Sequence, residues 1–415
     1  MADSPAVPIT VFPKIVSPAS AAGWRIVVLK LDHHGDFVIG LPALELLRHS
    51  FPEAHITVVV GSWNAEIAAR VQLFDAIIVF DRYPENAQNW DGRPIEDEAA
   101  FREKVNGAYD IAIDLRVDED TRSLLTCLDA QVRCGIGSRS RFPFLDWILP
   151  AESWFRAAPD SGSEIVHVEL VSEGESQQSR FVPSELHIGE SLELLVRLVV
   201  GRLQPKQSAQ MTLLARAPLS ASVLAEIGAA ELASAVFVAP FSNSTLRNWP
   251  LSSYEALIRH LLEAIDGPIC LIGAQYHHDQ FEQIRARLGN SRRVVTFAGT
   301  ISWSNLPAVL ARARLVISNN SGIAHVAAAS GAQLLAIYSG SHEPGKWGPR
   351  GIRARTITAK VSCAPCGLDR LEHCSFGHQC MQALSPEIVL EQVMDLLNDA
   401  NGKNNSLVID GASGA

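Results

Sequence analysis

The stretch RIVVLKLDHHGDFVIGLPALELLRHSFPEAHITVVV spans residues 25–60. Residues 25–31 form a continuous apolar run, which predicts a strand buried on both faces. A polar turn follows, Asp32-His33-His34-Gly35-Asp36. Leu41, Leu44, Leu47 and Phe51 then recur at helical spacing, and residues 56–60 read as a second strand. Strand, turn, amphipathic helix and strand in this order require a parallel sheet with helices laid over its faces.

The same alternation extends outward. Helices are predicted over 64–71 and 96–106, and strands over 77–80 and 111–115. Residues 151–185 break the rhythm, with polar, turn-rich runs at 157–163 and 172–179. A helix follows at 191–203, and Pro205-Lys206-Gln207-Ser208 reads as an interdomain linker. The rhythm then restarts. Strands are expected at 236–240, 268–272, 294–297, 315–318 and 333–338, and helices at 252–265, 277–288, 305–313 and 322–330. Ser385 as N-cap and Pro386 at the first helical position open a last helix, whose apolar face carries Ile388, Val389, Val393, Leu396 and Leu397.

This pattern predicts an α/β chain with two doubly wound, Rossmann-like parallel-sheet domains facing a cleft. The expected organisation is a loose tail over 1–22, an N-terminal domain over 23–205 and a C-terminal domain over 206–385. A terminal helix over 386–400 and a second loose tail over 401–415 complete it. In such sheets ligands bind beyond the C-terminal ends of the strands, so the residues after each strand carry the functional reading.

Composition narrows the classes. Across 415 residues the net charge is −10 and 47% of residues are apolar. A nucleic-acid binder would be basic, so that class is not expected. No apolar run reaches the 18 or more residues of a membrane span. The N-terminus lacks a basic region followed by an apolar one, so the chain is expected in the cytoplasm.

Four clusters carry chemistry. Asp36 stands at the mouth of the first helix, where a carboxylate can accept a proton from an attacking hydroxyl; an ordinary N-cap Asp is the alternative. Ser318-Asn319-Asn320-Ser321-Gly322-Ile323-Ala324-His325 opens a later helix with small polar residues, a natural diphosphate site, with a routine polar cap as the alternative. Residues 240–250, PFSNSTLRNWP, offer hydroxyls, amides and one Arg suited to phosphate oxygens. Cys363, Cys366, Cys374 and Cys380 crowd four of the seven cysteines into 18 residues. That spacing allows a structural Zn or Fe site as well as plain reduced thiols. No Gly-x-Gly-x-x-Gly or Walker lysine loop opens either half, which argues against a dehydrogenase or a P-loop enzyme. Asp118-Glu119-Asp120 reads as a solvated acidic run.

Taken together, residues 25–60, 240–250, 316–349 and 363–389 resemble, in order, the heptosyltransferase family of inverting glycosyltransferases, glycosyltransferase family 9. The resemblance implies a GT-B fold with the acceptor on the N-terminal domain and the donor on the C-terminal one. It implies Asp36 as general base, and Ser242, Asn243, Arg247, Asn320, Ser321, Gly322 and His325 around a nucleotide-sugar donor. It implies ADP-heptose as donor, lipopolysaccharide core or a related glycan as acceptor, and catalysis without a metal. Contact with the inner face of the inner membrane would be peripheral. The sequence departs from the family at Asn320, where the family more often has Asp, and at Ala274-Gln275-Tyr276, where it often carries an acidic residue. Related readings are a same-fold transferase with another nucleotide sugar or a protein acceptor, a sugar-nucleotide epimerase, or a catalytically silent subunit.

Overall fold

The computed structural model describes residues 23–85, 93–150, 165–172, 175–183, 187–203, 228–351, 353–398 and 407–410. The expected tail over 1–22 and the linker at 205–208 lie outside them. The chain divides into two compact units, each built on its own sheet.

The first sheet contains β1 (Arg25–Leu29), β2 (His55–Val60), β3 (Ala76–Val79), β4 (Ala108–Asp114), β5 (Asp129–Gly137) and β6 (Trp147–Pro150). Their order is β3-β2-β1-β4-β5-β6, and every pairing is parallel. The order reverses between β1 and β4, so the loops after these two strands meet at the switch point where such sheets bind ligands. The expected strands and helices of 25–115 are present within a few residues. β5 and β6 escaped the sequence reading: Asp129, Gln131 and Arg133 interrupt the apolar run of β5, and β6 is a run of only four residues, Trp147-Ile148-Leu149-Pro150, that closes on a proline. Ile165–Ser172 (β7) and Glu175–Pro183 (β8) pair as an antiparallel hairpin inside the stretch read as irregular.

The second sheet contains β9 (Val236–Ala239), β10 (Ile269–Gly273), β11 (Val294–Ala298), β12 (Leu315–Asn319), β13 (Leu334–Tyr338), β14 (Ala354–Lys360) and β15 (Leu407–Asp410). Their order is β11-β10-β9-β12-β13-β14-β15, again parallel throughout, with the reversal between β9 and β12. Residues 401–415 are therefore not simply a loose tail: the apolar run Leu407-Val408-Ile409 supplies an edge strand beside β14.

Both sheets are held by apolar burial on their two faces. Val27, Leu29, Val59, Ala112, Phe80, Phe101, Leu124 and Leu145 build the core of the first unit. Val236, Val238, Leu271, Ile317, Leu335, Trp249, Tyr254 and Phe281 build that of the second. Each large side chain removed fully from water contributes roughly 1.5–3 kcal/mol. The helix Leu251–Ala264 puts Tyr254, Leu257, Ile258 and Leu261 inside, and Pro386–Asn398 does the same with Val389, Val393 and Leu396.

Candidate functional site

In the first unit the turn after β1 leads into the short helix His34–Ile39. Asp36 is not its N-cap. His33 holds that position without a side-chain capping bond, and Asp36 is the third helical residue, half-buried in the first turn. A carboxylate there sits at the favourable end of the helix dipole.

Beneath this turn lies a buried charged network that the sequence did not announce. Lys30, 1% exposed, directly follows β1 and places its Nζ 2.6 Å from Asp32 Oδ2. Arg116, in the loop after β4, reaches Asp32 through Nε at 3.0 Å and donates to the Leu31 carbonyl at 3.0 Å. The Asp32 carbonyl in turn accepts from Trp63 Nε1 at 2.8 Å and Asn64 Nδ2 at 2.7 Å. Arg116 also meets Asp118 at 3.2 Å and Asp120 at 3.3 Å. Burial works against its charge, but Asp32, Asp120, Asp114 and Asp118 outweigh burial and tighten its hold on the proton. Glu119 pairs with Arg141, so the acidic run at 118–120 is engaged by cations and is not merely solvated.

One layer deeper, Arg122 pairs with Asp114, and both side chains are fully buried. Thr121 Oγ1 donates to Asp114 at 2.9 Å, while Arg122 donates to the Ile136 carbonyl at 2.8 Å and the Arg116 carbonyl at 2.7 Å. The turn carrying Asp36 thus rests on a chain of paired charges from β1 to β5. At its rim, His34 lies 3.4 Å from Glu85. Burial pushes the His34 pKa down while Glu85 pulls it back, and the hydrogen bond to His34 lowers that of Glu85.

In the second unit, Asn319 ends β12 fully buried and ties the switch point together. Its Oδ1 accepts from Trp249 N at 3.1 Å and Tyr254 Oη at 2.8 Å, and its Nδ2 donates to the Pro240 carbonyl at 2.5 Å. Ser242 donates through Oγ to Asn248 Oδ1 and to the Ser244 carbonyl, both at 2.8 Å, which folds the loop after β9 on itself. Asn243 and Arg247 are half-buried on that loop, Arg247 in the 3₁₀ turn Thr245–Arg247.

Ser321 is the N-cap of helix Gly322–Ala329, yet its side chain makes no capping bond and turns to Ser318 Oγ at 2.9 Å. First-turn N–H groups that no side chain caps are the usual partners of an anion at a helix N-terminus. Asn320 and His325 are buried beside this turn. The structure therefore brings Ser242, Asn243 and Arg247 onto one loop and Asn320, Ser321, Gly322 and His325 onto the adjacent one. Asp36 belongs to the other unit.

Sequence reasoning placed Asn319 and Asn248 within the candidate loops without singling out their roles, and missed Ser341 and His342. Ser341 Oγ and His342 Nδ1 lie 2.9 Å apart on the loop after β13. Burial, then Arg247, lowers the His342 pKa, and Asp369 opposes them, so the imidazole is a neighbour of the phosphate loop. After β10, the His277 ring stacks on Phe241 at 4.3 Å, and burial pushes its pKa down to about 4. A polar residue closing a buried strand, as Asn319 does, is the signal that would have found the first of these.

The four cysteines lie within electrostatic reach of one another, since Cys363, Cys366 and Cys374 all add to the upward push that burial gives Cys380. Among the described residues no group of three or more His, Cys, Asp or Glu side chains is arranged to hold a metal ion. Cys380 is a core residue, 6% exposed and packed with Met381 and Leu384, while Cys363, Cys366 and Cys374 are half-buried. No helix among the described residues is long and apolar enough to cross a membrane.

Residues 205–375 match the model of glycosyltransferase family 9 (heptosyltransferase). The chain is 26% identical over 156 residues to lipopolysaccharide heptosyltransferase 2 of Salmonella typhimurium, covering 37% of this chain. The matched stretch spans 43% of that relative, less than half its length. Among solved structures, ADP-heptose LPS heptosyltransferase II of E. coli aligns with a TM-score of 0.60 at 18% identity, over 90% of this chain and 98% of its own. A glycosyl transferase family 9 protein of Veillonella parvula gives 0.65 at 18% identity, over 90% and 97%. E. coli heptosyltransferase WaaC with ADP gives 0.61 at 18% identity, over 90% and 99%. At this identity the likeness is one of fold, and the fold is GT-B.

Proposed function

We propose that the chain is a member of glycosyltransferase family 9, whose model matches residues 205–375, and that it is an inverting, metal-independent transferase. In this reading it moves a heptose from ADP-heptose to lipopolysaccharide core or a related glycan, acting in the cytoplasm or at the inner face of the inner membrane. The C-terminal unit holds the donor and the N-terminal unit serves the acceptor. The observation that carries the reading is the pair of loops at the β9–β12 switch point, where a helix N-terminus without a side-chain cap stands beside the Arg247 loop.

The mechanism follows from that chemistry. The acceptor oxygen attacks the anomeric carbon in a single displacement, and Asp36 takes its proton. Charge that builds on the departing diphosphate is met by the N–H groups at Ser321–Gly322, with Arg247 and His325 contributing. The reacting sugar carries oxocarbenium character, as in other glycosyl transfers. Asp32, Lys30 and Arg116 do not enter the reaction; they hold the turn on which Asp36 stands.

The test is Asp36→Asn. Transfer should be lost while ADP affinity stays within about twofold of wild type, because only the proton acceptor is removed. Full transfer by that variant would end the assignment of the base.

A further inference from the structure

The segment that carries the cysteines, residues 363–384, has no part in the roles above, yet it is bonded closely to the phosphate loop. Ser244 Oγ donates to the Asp369 carbonyl at 2.5 Å, His378 Nε2 to the Leu246 carbonyl at 2.7 Å, and Trp249 Nε1 to the Leu384 carbonyl at 2.8 Å. The same segment grips the loop after β13. Cys366 N donates to the Gly340 carbonyl at 2.9 Å, and Gly367 N to the Ser341 carbonyl at 3.0 Å. Gly340 is needed for this approach, since a Cβ there would stand 2.9 Å from Ala364 Cβ and 3.2 Å from Cys380 Cβ.

Sheet order gives these contacts their meaning. β12 lies between β9 and β13. The loops after β9 and β13 therefore flank the Asn319–Gly322 turn, and segment 363–384 is tied to both.

We propose that segment 363–384 is a positioning strap for the nucleotide site, and that His378 sets the turn from which Arg247 reaches a diphosphate. The inference rests on the reading of this unit as the donor-binding one. His378 acts through the loop: its ring bonds the carbonyl of Leu246, the residue before Arg247. A carbonyl only accepts, so Nε2 carries the proton in this bond. Truncating His378 releases the Leu246 carbonyl, and the Arg247 turn loses its tie to the strap.

The test measures ADP binding calorimetrically on the full chain, with donor KM and kcat alongside. His378→Ala should weaken ADP about tenfold and raise donor KM by the same factor, with kcat nearly unchanged, as the loss of one partly buried hydrogen bond implies. His378→Gln keeps an N–H that can reach the carbonyl and should stay within about threefold of wild type. Phe376→Ala, at an exposed side chain on the same segment, should bind ADP as wild type does. If His378→Ala does not fold, Ser244→Ala removes the Asp369 bond and should shift ADP affinity in the same direction. Unchanged affinity in these truncations, or equal loss in His378→Gln, overturns the strap and leaves the functional reading standing. A wild-type chain that binds no ADP overturns both.

Discussion

Replacing Arg122 by Met tests the foundation under the Asp36 turn. Arg122 and Asp114 are both fully buried, and the guanidinium also satisfies the carbonyls of Ile136 and Arg116. Met retains much of the side-chain volume, so the cavity contribution is small. What remains is a buried carboxylate that has lost its paired cation, and removing one partner of such a pair costs about 3–5 kcal/mol. Asp114 has an escape. Burial already raises its pKa despite Arg122 and Arg116, and without Arg122 it rises further, so the carboxyl folds protonated. A folded-state pKa above the unfolded value means that the folded state binds the extra proton, and stability falls as pH rises. The Arg122→Met defect should therefore be larger at pH 8 than at pH 5, each unit in the window being worth about 1.4 kcal/mol. Urea unfolding followed by circular dichroism, fitted separately for the two units, measures it. The double variant Asp114→Asn/Arg122→Met should be more stable than the sum of the single losses predicts, by about 1–3 kcal/mol. A single-variant loss below about 1 kcal/mol, or one independent of pH, would refute the reasoning.

Three further outcomes follow. Gly40→Ala places a Cβ 2.5 Å from Lys30 Cε, displaces the lysine from Asp32 and should destabilise the chain by about 1–2 kcal/mol in the same unfolding experiment. Arg247→Ala should weaken ADP by about 1.5–3 kcal/mol, the range for a charged hydrogen bond, and Arg247→Lys should recover only part of it for lack of the planar fork; calorimetry reads both. His277 resists protonation in the folded state, down to about 4 against an ordinary 6.5. The unfolded chain takes up that proton first, so stability is lost as pH falls from about 6.5 to about 4, and His277→Phe should flatten the melting-temperature slope in that window.

The sheets were legible because their chemistry is local. Val27, Val28 and Leu29 or Val316 and Ile317 are buried on both faces, and runs of that kind announce a parallel strand wherever they occur. β5 was not legible, since Asp129, Gln131 and Arg133 interrupt its pattern while their side chains serve edge and tertiary contacts such as Arg133 with the carbonyls of Leu125 and Leu128. The same division holds at the site. Ser242 and Ser321 follow strands directly, and position alone singles them out. Arg116, Asp114 and His378 gain their roles from partners up to 132 residues away, and no spacing rule reports a contact of that range. The cysteine spacing allowed either a metal site or plain reduced thiols, and only the three-dimensional packing reports that Cys380 lies in the core.

The central claim is sugar transfer from a nucleotide donor, and acceptor-dependent release of the nucleoside diphosphate tests it most directly. With ADP-heptose, UDP-sugars and dTDP-sugars offered in parallel against lipopolysaccharide core, the account predicts ADP release from ADP-heptose only when acceptor is present, with one heptose added to the acceptor by mass spectrometry. Conversion of the donor without acceptor, or no consumption of any nucleotide sugar, would contradict it.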